Sequence, residues 1–411
     1  MRCGLIGERL GHSHSKTLHG LLADYRYDLI ELAPGELGDF LQKGEFDGLN
    51  VTIPYKQAVI PYLRELSPAA RAIGSVNTIV RRPDGTLLGD NTDAWGLGVI
   101  AGRAGMAFAG KKTLILGSGG TSRTARHVVE AAGGEAVTVS RTGETNYENL
   151  ERHADAAYLI NATPVGMYPG VQAAPVDLAR LPGLRGVADV IYNPLRTRLM
   201  QQARALGIPC EGGLAMLVYQ AVRACERFTA RPVPPERAAQ AERALRRAVT
   251  GLALVGMPGA GKSTVGALAA ARLGMPFVDL DREIEKAAGM PIPRIFEAEG
   301  EAGFRRRETE ALRRVALTGG QVIAAGGGVV KRAENRELLR MNCVVVHLTR
   351  PIEALPMDGR PLSQGREALA RLWRERADLY AAAADAQVEN GGAAEACARE
   401  VEEAYHEAVC D

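Results

Sequence analysis

Short runs of β-branched and aliphatic residues alternate along the chain with stretches of helical pattern, and Gly, Pro and Asn mark the joins. This alternation is typical of βαβ units and predicts an α/β fold with parallel sheets. The chain opens on a strand-like run, Cys3–Ile6. The other clear predicted strands are Thr113–Leu116, Ala136–Ser140, Ala157–Ile160, Gly186–Val190, Leu252–Val255, Val322–Ala324 and Val344–His347.

Two glycine-rich turns each follow a predicted strand and open a helix, at Gly117–Gly120 and at Gly256–Gly261. Such turns bind phosphate groups, so the chain is predicted to hold two nucleotide-binding domains. A helix without a breaker is predicted over Glu236–Val249, and only Thr250 and Gly251 separate it from the next strand. We therefore expect the domain boundary near Thr250.

Length and composition narrow the class of protein. A chain of 411 residues suggests two to three domains, and a net charge of +2 without a long basic block argues against a nucleic-acid surface. No run approaches the roughly 20 apolar residues of a membrane span, and the start lacks the apolar core of a signal peptide. The six cysteines form no CxxC pair, as expected for reduced thiols. We expect a cytoplasmic protein whose partners are small molecules.

The first turn reads Gly117-Ser118-Gly119-Gly120-Thr121. Its glycines allow close backbone approach, and the helix that follows offers free N–H groups to a pyrophosphate. About 20 residues further on, NAD sites usually place an acid for the ribose 2′-hydroxyl. Here Ser140-Arg141-Thr142 stand in that place and suit a 2′-phosphate, so the sequence favours NADP(H). Glu144, close behind, would weaken that preference.

The second turn, Gly256-Met-Pro-Gly259-Ala260-Gly261-Lys262-Ser263-Thr264, matches the P-loop pattern GxxxxGK[ST] between a strand and a helix. In this pattern the backbone amides wrap the phosphates of ATP, Lys262 reaches the β- and γ-phosphates, and Ser263 coordinates Mg²⁺. The pattern indicates a nucleotide and leaves the phosphoryl acceptor open.

Seven motif blocks surround the first turn. They are Gly7–Ser15, Asn50–Lys56, Ile73–Thr78, Gly89–Asp93, Asn161–Met167, Asp189–Pro194 and Gly212–Gln220. In this order they resemble the shikimate dehydrogenase family, over residues 1 to about 248. A lysine beside a carboxylate, in a cleft that faces a nicotinamide, can donate the proton that ketone reduction requires.

The resemblance implies a role for each matching position. Lys56 and Asp93 would form the catalytic pair. The residues implied for the substrate are two serines for its carboxylate, Ser13 and Ser15, and four side chains for its ring hydroxyls, Thr52, Asn77, Asp93 and Gln220. The residues implied for NADP(H) are Gly117, Ser118, Gly119, Gly120, Thr121, Ser140, Arg141, Thr142, Tyr192 and Met216.

The blocks around the P-loop resemble shikimate kinase across residues 250–411. They are Phe277–Asp281, Ile295–Phe296, Gly300–Glu301, Phe304–Glu308, Ala325–Gly328, Arg360–Leu362 and Arg376–Tyr380. By this resemblance Asp281 would hold the acceptor hydroxyl and act as base, and Asp279 would support Mg²⁺ through water. The family's lid before the Arg-Pro-Leu block is usually longer than the segment Leu348–Arg360 of this chain and carries another arginine. The sequence therefore predicts incomplete closure over ATP.

The binding residues implied for this half form two sets. Those for ATP are Gly259, Ala260, Gly261, Lys262, Ser263, Thr264 and Arg360. Those for the acceptor are Asp281, Arg305, Gly327, Gly328 and Arg376. An arginine pair suits a carboxylate, because bidentate hydrogen bonds give both energy and orientation.

The resemblances imply three domains: a substrate-binding domain over residues 1–98, completed by helices in 214–249, a Rossmann-type NADP domain over 99–213, and a P-loop kinase domain over 250–411. The implied function is reduction of 3-dehydroshikimate to shikimate with NADPH, followed by ATP-dependent phosphorylation to shikimate 3-phosphate. Two alternatives stay open. The first half is a quinate/shikimate dehydrogenase of broader specificity, or the kinase-like half is a shikimate sensor without transfer activity.

Overall fold

The computed structural model describes residues 1–11, 13–355 and 365–410. Their contacts divide the chain into two compact units, Met1–Leu245 and Arg246–Asp411, called here the N-terminal and the C-terminal unit. The first unit contains two sheets and the second unit contains one. The predicted α/β class is confirmed, since helices follow or cover the strands of every sheet.

The first sheet is mixed and has the strand order β2-β1-β3-β5-β6-β4. Its strands are β1 (Arg2–Gly7), β2 (Arg26–Glu31), β3 (Gly48–Val51), β4 (Glu65–Leu66), β5 (Thr78–Arg81) and β6 (Leu87–Asp90). Its helices are α1 (Ser15–Leu22), α2 (Leu37–Lys43), α3 (Tyr55–Ala58), α4 (Pro68–Ile73) and α5 (Asp93–Arg103). β5 runs antiparallel to both of its neighbours, and the other pairings are parallel.

The second sheet is parallel throughout, in the order β11-β10-β9-β7-β8. Its strands are β7 (Lys112–Leu116), β8 (Glu135–Val139), β9 (Tyr158–Asn161), β10 (Gly186–Asp189) and β11 (Cys210–Glu211). The accompanying helices are α6 (Gly120–Ala131) and α7 (Arg198–Ala205). Helix α8 (Gly213–Thr229) packs against α5 and α1, and α9 (Pro235–Val249) follows it in the chain. The order reverses between β7 and β9, and in open parallel sheets ligands bind at such a switch point.

Helices α5 and α8 pack closely against each other in the N-terminal unit. A β-carbon on Gly96 would lie 2.5 Å from the carbonyl oxygen of Met216, so only glycine permits this approach. Leu97, Ile100 and Ala215 are fully buried beside it. Because α5 begins at Asp93 and α8 carries Gln220, this packing fixes the positions of two predicted site residues.

The sheet of the C-terminal unit is parallel, with the order β13-β14-β12-β15-β16. Its strands are β12 (Gly251–Val255), β13 (Phe277–Asp279), β14 (Val322–Ala324), β15 (Cys343–Thr349) and β16 (Ala386–Glu389). Its helices are α10 (Lys262–Leu273), α11 (Leu280–Ala288), α12 (Ile292–Ala316), α13 (Ala333–Asn342), α14 (Arg366–Ala383) and α15 (Ala394–Cys410). Helix α12 is kinked at Gly300, whose φ is 68°. Among the described residues, no helix has both the length and the apolar character that crossing a membrane requires.

Residues 246–250 belong to the C-terminal unit by their contacts, although the predicted boundary lies near Thr250. The hydroxyl of the buried Tyr405 lies 2.9 Å from the carbonyl oxygen of Thr250 and 3.3 Å from that of Arg247. Gly319 and Gly320 face the carbonyl oxygens of Val249 and Ala248 so closely that a β-carbon on either glycine would clash.

We expect a fragment of residues 246–411 to be more stable than one of residues 251–411, by about 1 kcal/mol or more, because the shorter fragment loses the acceptor of Tyr405. Urea unfolding of the two fragments measures this difference. Tyr405→Phe should lower the stability of the longer fragment and leave the shorter one unchanged. Equal stability of both fragments would show that residues 246–250 contribute nothing to this unit.

Candidate active sites

Lys56 and Asp93 come together at the centre of the N-terminal unit. Lys56 lies in the short helix α3 after β3, and Asp93 is the first residue of α5 after β6. The Lys56 Nζ donates a hydrogen bond to the Asp93 Oδ2 at 2.6 Å. Their side chains remain 31% and 20% exposed. The pair therefore keeps access to a ligand and to solvent.

A cavity of about 360 Å³ lies on one side of this pair. The residues implied for the substrate all line it, namely Ser13, Ser15, Thr52, Asn77, Asp93 and Gln220, and so does Lys56. Tyr192 and Met216, which the resemblance assigns to the cofactor, line the same cavity. The lining therefore combines hydroxyl groups, amides and a charged pair around a volume that suits a small polar ring.

Two of the amides in this cavity, those of Asn77 and Gln220, are oriented by their own hydrogen bonds. The Asn77 Oδ1 accepts from the backbone N–H of Thr92 at 2.7 Å, which turns the Asn77 Nδ2 towards the cavity as a donor. The Gln220 Nε2 donates to the carbonyl oxygen of Leu217 at 2.9 Å, which leaves the Gln220 Oε1 as an acceptor. The cavity thus presents a donor and an acceptor in fixed places, as recognition of hydroxyl groups requires.

Asn50 lines the same cavity, although no role was predicted for it from the sequence. Its Oδ1 accepts from the hydroxyl of the buried Tyr27 at 2.8 Å, and its Nδ2 donates to the carbonyl oxygen of Asn77 at 3.3 Å. Its position at the start of the Asn50–Lys56 block is the sequence feature that could have identified it as a site residue. Its partner Tyr27 lies on β2, outside every motif block, so no sequence feature pointed to Tyr27.

A second cavity, of about 260 Å³, also contacts the Lys56–Asp93 pair. Lys56 and Asp93 line it together with Gly120, Thr121 and Arg123 from the start of α6. The cavity therefore connects this pair with the end of the glycine-rich turn.

The glycine-rich turn fits a pyrophosphate. Gly117 has a φ of 104°, which favours glycine, and its carbonyl oxygen accepts from the Ser122 hydroxyl at 2.6 Å. Gly119, the N-cap of α6, offers no side-chain cap, and the first helical turn contains no acid. The free N–H groups at this helix start suit a negatively charged group.

Ser140, Arg141 and Thr142 follow β8, which pairs with β7, the strand before the glycine-rich turn. The loop is ordered by a hydrogen bond from the Ser140 N–H to the Thr145 carbonyl oxygen at 3.1 Å. The Asn149 side chain donates to the carbonyl oxygen of Glu144 at 2.8 Å. Arg141 is exposed and follows the carboxyl end of β8, at the same edge of the sheet as the glycine-rich turn.

Asp189 holds together the loops after β9 and β10. These loops contain the motif blocks Asn161–Met167 and Asp189–Pro194, for which the sequence alone offered no structural reason. Its Oδ1 accepts from the Asn161 Nδ2 at 3.0 Å and from the Ile191 N–H at 3.1 Å. Its Oδ2 accepts from the Thr197 hydroxyl at 2.7 Å. Complete burial raises the pKa of Asp189 to about 6, against these hydrogen bonds, which lower it. The carboxylate fixes the strand ends from which Tyr192 projects.

The P-loop of the C-terminal unit lines a cavity of about 670 Å³. The Lys262 Nζ donates to the carbonyl oxygens of Gly256 and Met257, each at 2.9 Å. The residues implied for ATP that line the cavity are Gly259, Gly261, Lys262, Ser263 and Thr264. Ala260 is buried, and its carbonyl oxygen accepts from the side chain of Asn390 at 2.8 Å, a brace that sequence reasoning missed. Arg360 lies outside the described residues.

Ser263 and Asp279 lie together, as a magnesium site requires. The Ser263 hydroxyl donates to the Asp279 Oδ2 at 2.6 Å. The Asp279 Oδ1 accepts from the backbone N–H of Asp281 at 3.1 Å and so caps α11. A hydroxyl and a carboxylate beside a P-loop are oxygen ligands of the kind that Mg²⁺ prefers.

The acceptor residues meet on the far wall of the same cavity, which Asp281, Arg305, Gly327, Gly328 and Arg376 all line. Arg376 is 2% exposed, and its Nη1 donates to the carbonyl oxygen of Gly327 at 2.9 Å. A β-carbon on Gly328 would lie 2.2 Å from the Arg305 guanidinium. A side chain at position 328 would therefore displace the Arg305 guanidinium from its present place.

Glu308, to which the sequence assigned no role, anchors Arg305. It is completely buried and accepts two hydrogen bonds from the Arg305 Nη1, at 2.8 and 3.0 Å. Burial raises the pKa of Glu308, while the adjacent Arg305 favours its charged form. Glu308 belongs to the motif block Phe304–Glu308, but the sequence does not show that its side chain is buried.

Three comparisons describe what the chain is similar to. A family model described as the shikimate dehydrogenase substrate binding domain matches residues 5–79, and one described as shikimate kinase matches residues 258–406. A shikimate dehydrogenase (NADP(+)) of Geobacillus kaustophilus is 37% identical over 256 residues, which are 55% of this chain and 91% of that protein.

Solved structures give the same result for the N-terminal unit. Shikimate 5-dehydrogenase from Thermus thermophilus, in complex with NADP(H) and shikimate, matches with a TM-score of 0.54 and 29% identity over 59% of this chain and 99% of that chain. Quinate dehydrogenase from Corynebacterium glutamicum, in complex with NAD, matches with a TM-score of 0.54 and 27% identity over 59% and 98%. The chain thus belongs to the shikimate dehydrogenase family through its N-terminal unit and carries a shikimate kinase domain in its C-terminal unit, as an enzyme with two activities of the shikimate pathway.

Proposed function

We propose that the chain catalyses two consecutive reactions. The N-terminal unit reduces 3-dehydroshikimate to shikimate with NADPH, and the C-terminal unit phosphorylates shikimate to shikimate 3-phosphate with ATP. The observation that carries the first step is the Lys56–Asp93 pair, which lines both the polar ring-sized cavity and the cavity at the glycine-rich turn. The product of the first reaction carries the hydroxyl group that the second one phosphorylates.

In the reduction, the bound dinucleotide supplies the hydride. Lys56 donates a proton to the ketone oxygen as negative charge develops there, and Asp93 keeps the Lys56 ammonium group aimed at that oxygen through their 2.6 Å hydrogen bond. The 31% exposure of the Lys56 side chain lets water restore the proton after each turnover. Ser13 and Ser15 bind the carboxylate, and so set which ring carbon faces the nicotinamide.

The choice of cofactor rests on Arg141, which would pair with a 2′-phosphate. A second candidate activity, oxidation of quinate with NAD, is favoured by Glu144 in the same loop and by the likeness to the quinate dehydrogenase of Corynebacterium glutamicum. Assays of shikimate and quinate, each with NADP and with NAD, decide between the two. We expect shikimate with NADP to give the highest kcat/KM.

In the phosphorylation, Asp281 accepts the proton of the attacking shikimate hydroxyl. Lys262 binds the β- and γ-phosphates, and Ser263 with Asp279 would hold Mg²⁺, which supplies charge neutralisation at the phosphates. Arg305 and Arg376 clamp the shikimate carboxylate. The buried Glu308 keeps the Arg305 guanidinium in place, because a buried arginine is costly without a partner.

Lys56→Ala should lower dehydrogenase turnover by about 100-fold or more, the effect of losing a general acid. NADPH binding should persist, since the glycine-rich turn and the Ser140–Thr142 loop would hold its phosphates, and kinase activity should persist, since Lys56 lies in the other unit. Steady-state assays of both reactions measure this, with Lys43→Ala, an exposed lysine paired with Asp39, as the control. More than about a tenth of wild-type turnover in Lys56→Ala would rule out Lys56 as the acid.

Asp281→Asn should abolish most phosphoryl transfer while ATP affinity stays close to that of the wild type, because an amide cannot accept the hydroxyl proton. Coupled ADP release and calorimetric ATP binding report the two quantities. Glu283→Gln, which makes the same charge change in the same helical turn outside the cavity, is the matched control. A loss of ATP binding in Asp281→Asn would place Asp281 on the nucleotide side.

Glu308→Gln should raise the KM for shikimate about tenfold and leave the KM for ATP unchanged, because Arg305 loses a charge-assisted anchor worth about 1.5–3 kcal/mol. Glu299→Gln removes the partner of Arg307 on the same helix and should leave both KM values unchanged. An equal change in both KM values for Glu308→Gln would indicate a general loss of structure instead of a loss of carboxylate binding.

A further inference from the structure

Helix α8 reaches from one sheet of the N-terminal unit to the other. At its start, a β-carbon on Gly213 would lie 2.1 Å from the carbonyl oxygen of Val190, the residue after β10. Near its end, a β-carbon on Gly48 of β3 would lie 2.3 Å from the ring of Phe228. Gln220, which lines the ring-sized cavity, lies between these two ends. The place of α8 on the first sheet therefore decides where the Gln220 side chain lies.

A charged contact holds the end of α8 against the first sheet. Asp90 is the last residue of β6 and is buried, and its Oδ2 accepts a hydrogen bond from the Arg227 Nε at 2.6 Å. Arg227 follows Gln220 by seven residues, two turns later on the same face of the helix. Because a carboxylate out of contact with water is costly without its partner, this pair resists separation.

The other groups of Asp90 are tied to residues of the site. Its Oδ1 accepts from the N–H of Asn91 at 2.8 Å and from the hydroxyl of Ser67, the N-cap of α4. Its carbonyl oxygen accepts from the N–H of Asn77 at 3.1 Å. Asn77 lines the cavity, and the turn through Asn91 leads to Asp93, which lines it as well. Asp90 therefore joins two cavity groups on the sheet to the helix that carries a third.

Another ion pair of the same unit offers a comparison. The guanidinium of Arg103 donates two hydrogen bonds to the Glu242 carboxylate, at 2.6 and 2.8 Å, and so joins α5 to α9. The two side chains are 34% and 10% exposed, close to the 41% and 9% of Arg227 and Asp90. Among the described residues that line the ring-sized cavity, neither Arg103 nor Glu242 occurs. The two pairs thus match in burial and differ in position.

We propose that Asp90 and Arg227 are positioning residues of the dehydrogenase reaction, an inference that rests on the proposed function. Their ion pair sets the distance between Gln220 on α8 and the groups at the end of β6, so that both can hold hydroxyl groups of one small ring. Asp90 and Arg227 do not line the cavity themselves, and they act through the backbones of β6 and α8. Because a small misplacement of a binding group is costly, the pair determines substrate affinity.

Four variants of the full chain test this role. Arg227→Met keeps most of the side-chain length without a donor, and Arg227→Lys keeps the charge. Asp90→Asn removes the attraction without a change of size, and Glu242→Gln makes the same change in the comparison pair. We would measure kcat and the KM values for 3-dehydroshikimate and NADPH in each variant, and the amide hydrogen exchange of residues 221–229.

Arg227→Met and Asp90→Asn should each raise the KM for 3-dehydroshikimate by about tenfold, the effect of one misplaced hydrogen bond. The KM for NADPH and kcat should stay close to those of the wild type. A loss of folded protein lowers kcat and leaves KM unchanged, so this split separates positioning from stability. Arg227→Lys should recover most of the affinity, and Glu242→Gln should change neither KM.

A double variant tests whether the pair acts through Gln220. When Arg227→Met is added to Gln220→Ala, we expect less than about a twofold further rise in the KM for 3-dehydroshikimate, because effects that share one group are not additive. A further rise as large as that in the wild-type background would overturn the proposal. An unchanged KM in both Arg227→Met and Asp90→Asn, or an equal rise in Glu242→Gln, would also overturn it.

Failure of the wild-type chain to reduce 3-dehydroshikimate with NADPH would contradict the proposed function itself. Hydrogen exchange still tests the pair in that case, because it does not depend on turnover. Faster exchange at residues 221–229 in Arg227→Met than in Glu242→Gln would support the hold of Asp90 on α8. Equal exchange in the two variants would contradict it.

Discussion

The N-terminal unit depends on one ion pair placed between two cavities. Lys56 and Asp93 come from helices that follow different strands, and they meet at 2.6 Å only because α5 packs closely against α8 and the mixed sheet sets the spacing of β3 and β6. The pair holds the Lys56 side chain in a fixed direction in a partly open cleft. An ion pair of this exposure adds little to stability. Under the proposed function its value lies in orientation, since the ammonium group would face a ketone on one side and a nicotinamide on the other.

In the C-terminal unit, charged side chains are likewise held in place by fixed partners, and these side chains are more deeply buried than Lys56 and Asp93. Arg305 and Arg376 line the acceptor wall, and each is tied to a fixed group, Arg305 to the buried Glu308 and Arg376 to the Gly327 carbonyl oxygen. Gly328, without a side chain, leaves the space that the Arg305 guanidinium fills. Charged side chains buried in this way lose hydration, which their partners must compensate. A carboxylate ligand would then enter a site whose donors are already oriented, which reduces the cost of binding.

The sequence predicted the parallel sheets and the phosphate turns well, because strands such as Leu252–Val255 are uniformly apolar and the glycine patterns are local. It identified the first strand, Cys3–Ile6, but it missed several others, among them β4, which has two residues, and β3, whose Asn50 interrupts the apolar pattern. The candidate site residues came from motif blocks, and the structure brings most of the described ones into three cavities. The exceptions, which line none of the three, are Gly117, Ser118, Gly119, Ser140, Arg141, Thr142 and Ala260. Partners from distant positions were missed. Tyr27, Glu308 and Asn390 act through burial and tertiary hydrogen bonds, which no local pattern records.

The central claim is that one chain carries two consecutive activities, and a single reaction mixture tests it most directly. The purified full-length chain is mixed with 3-dehydroshikimate, ATP and Mg²⁺, NADPH is added last, and NADPH loss and ADP formation are followed separately. The account expects no ADP before NADPH is added, and afterwards one ADP for each NADPH consumed, because only the reduced product is a substrate for the kinase. ADP formation without NADPH, or NADPH consumption that never leads to ADP, would contradict it.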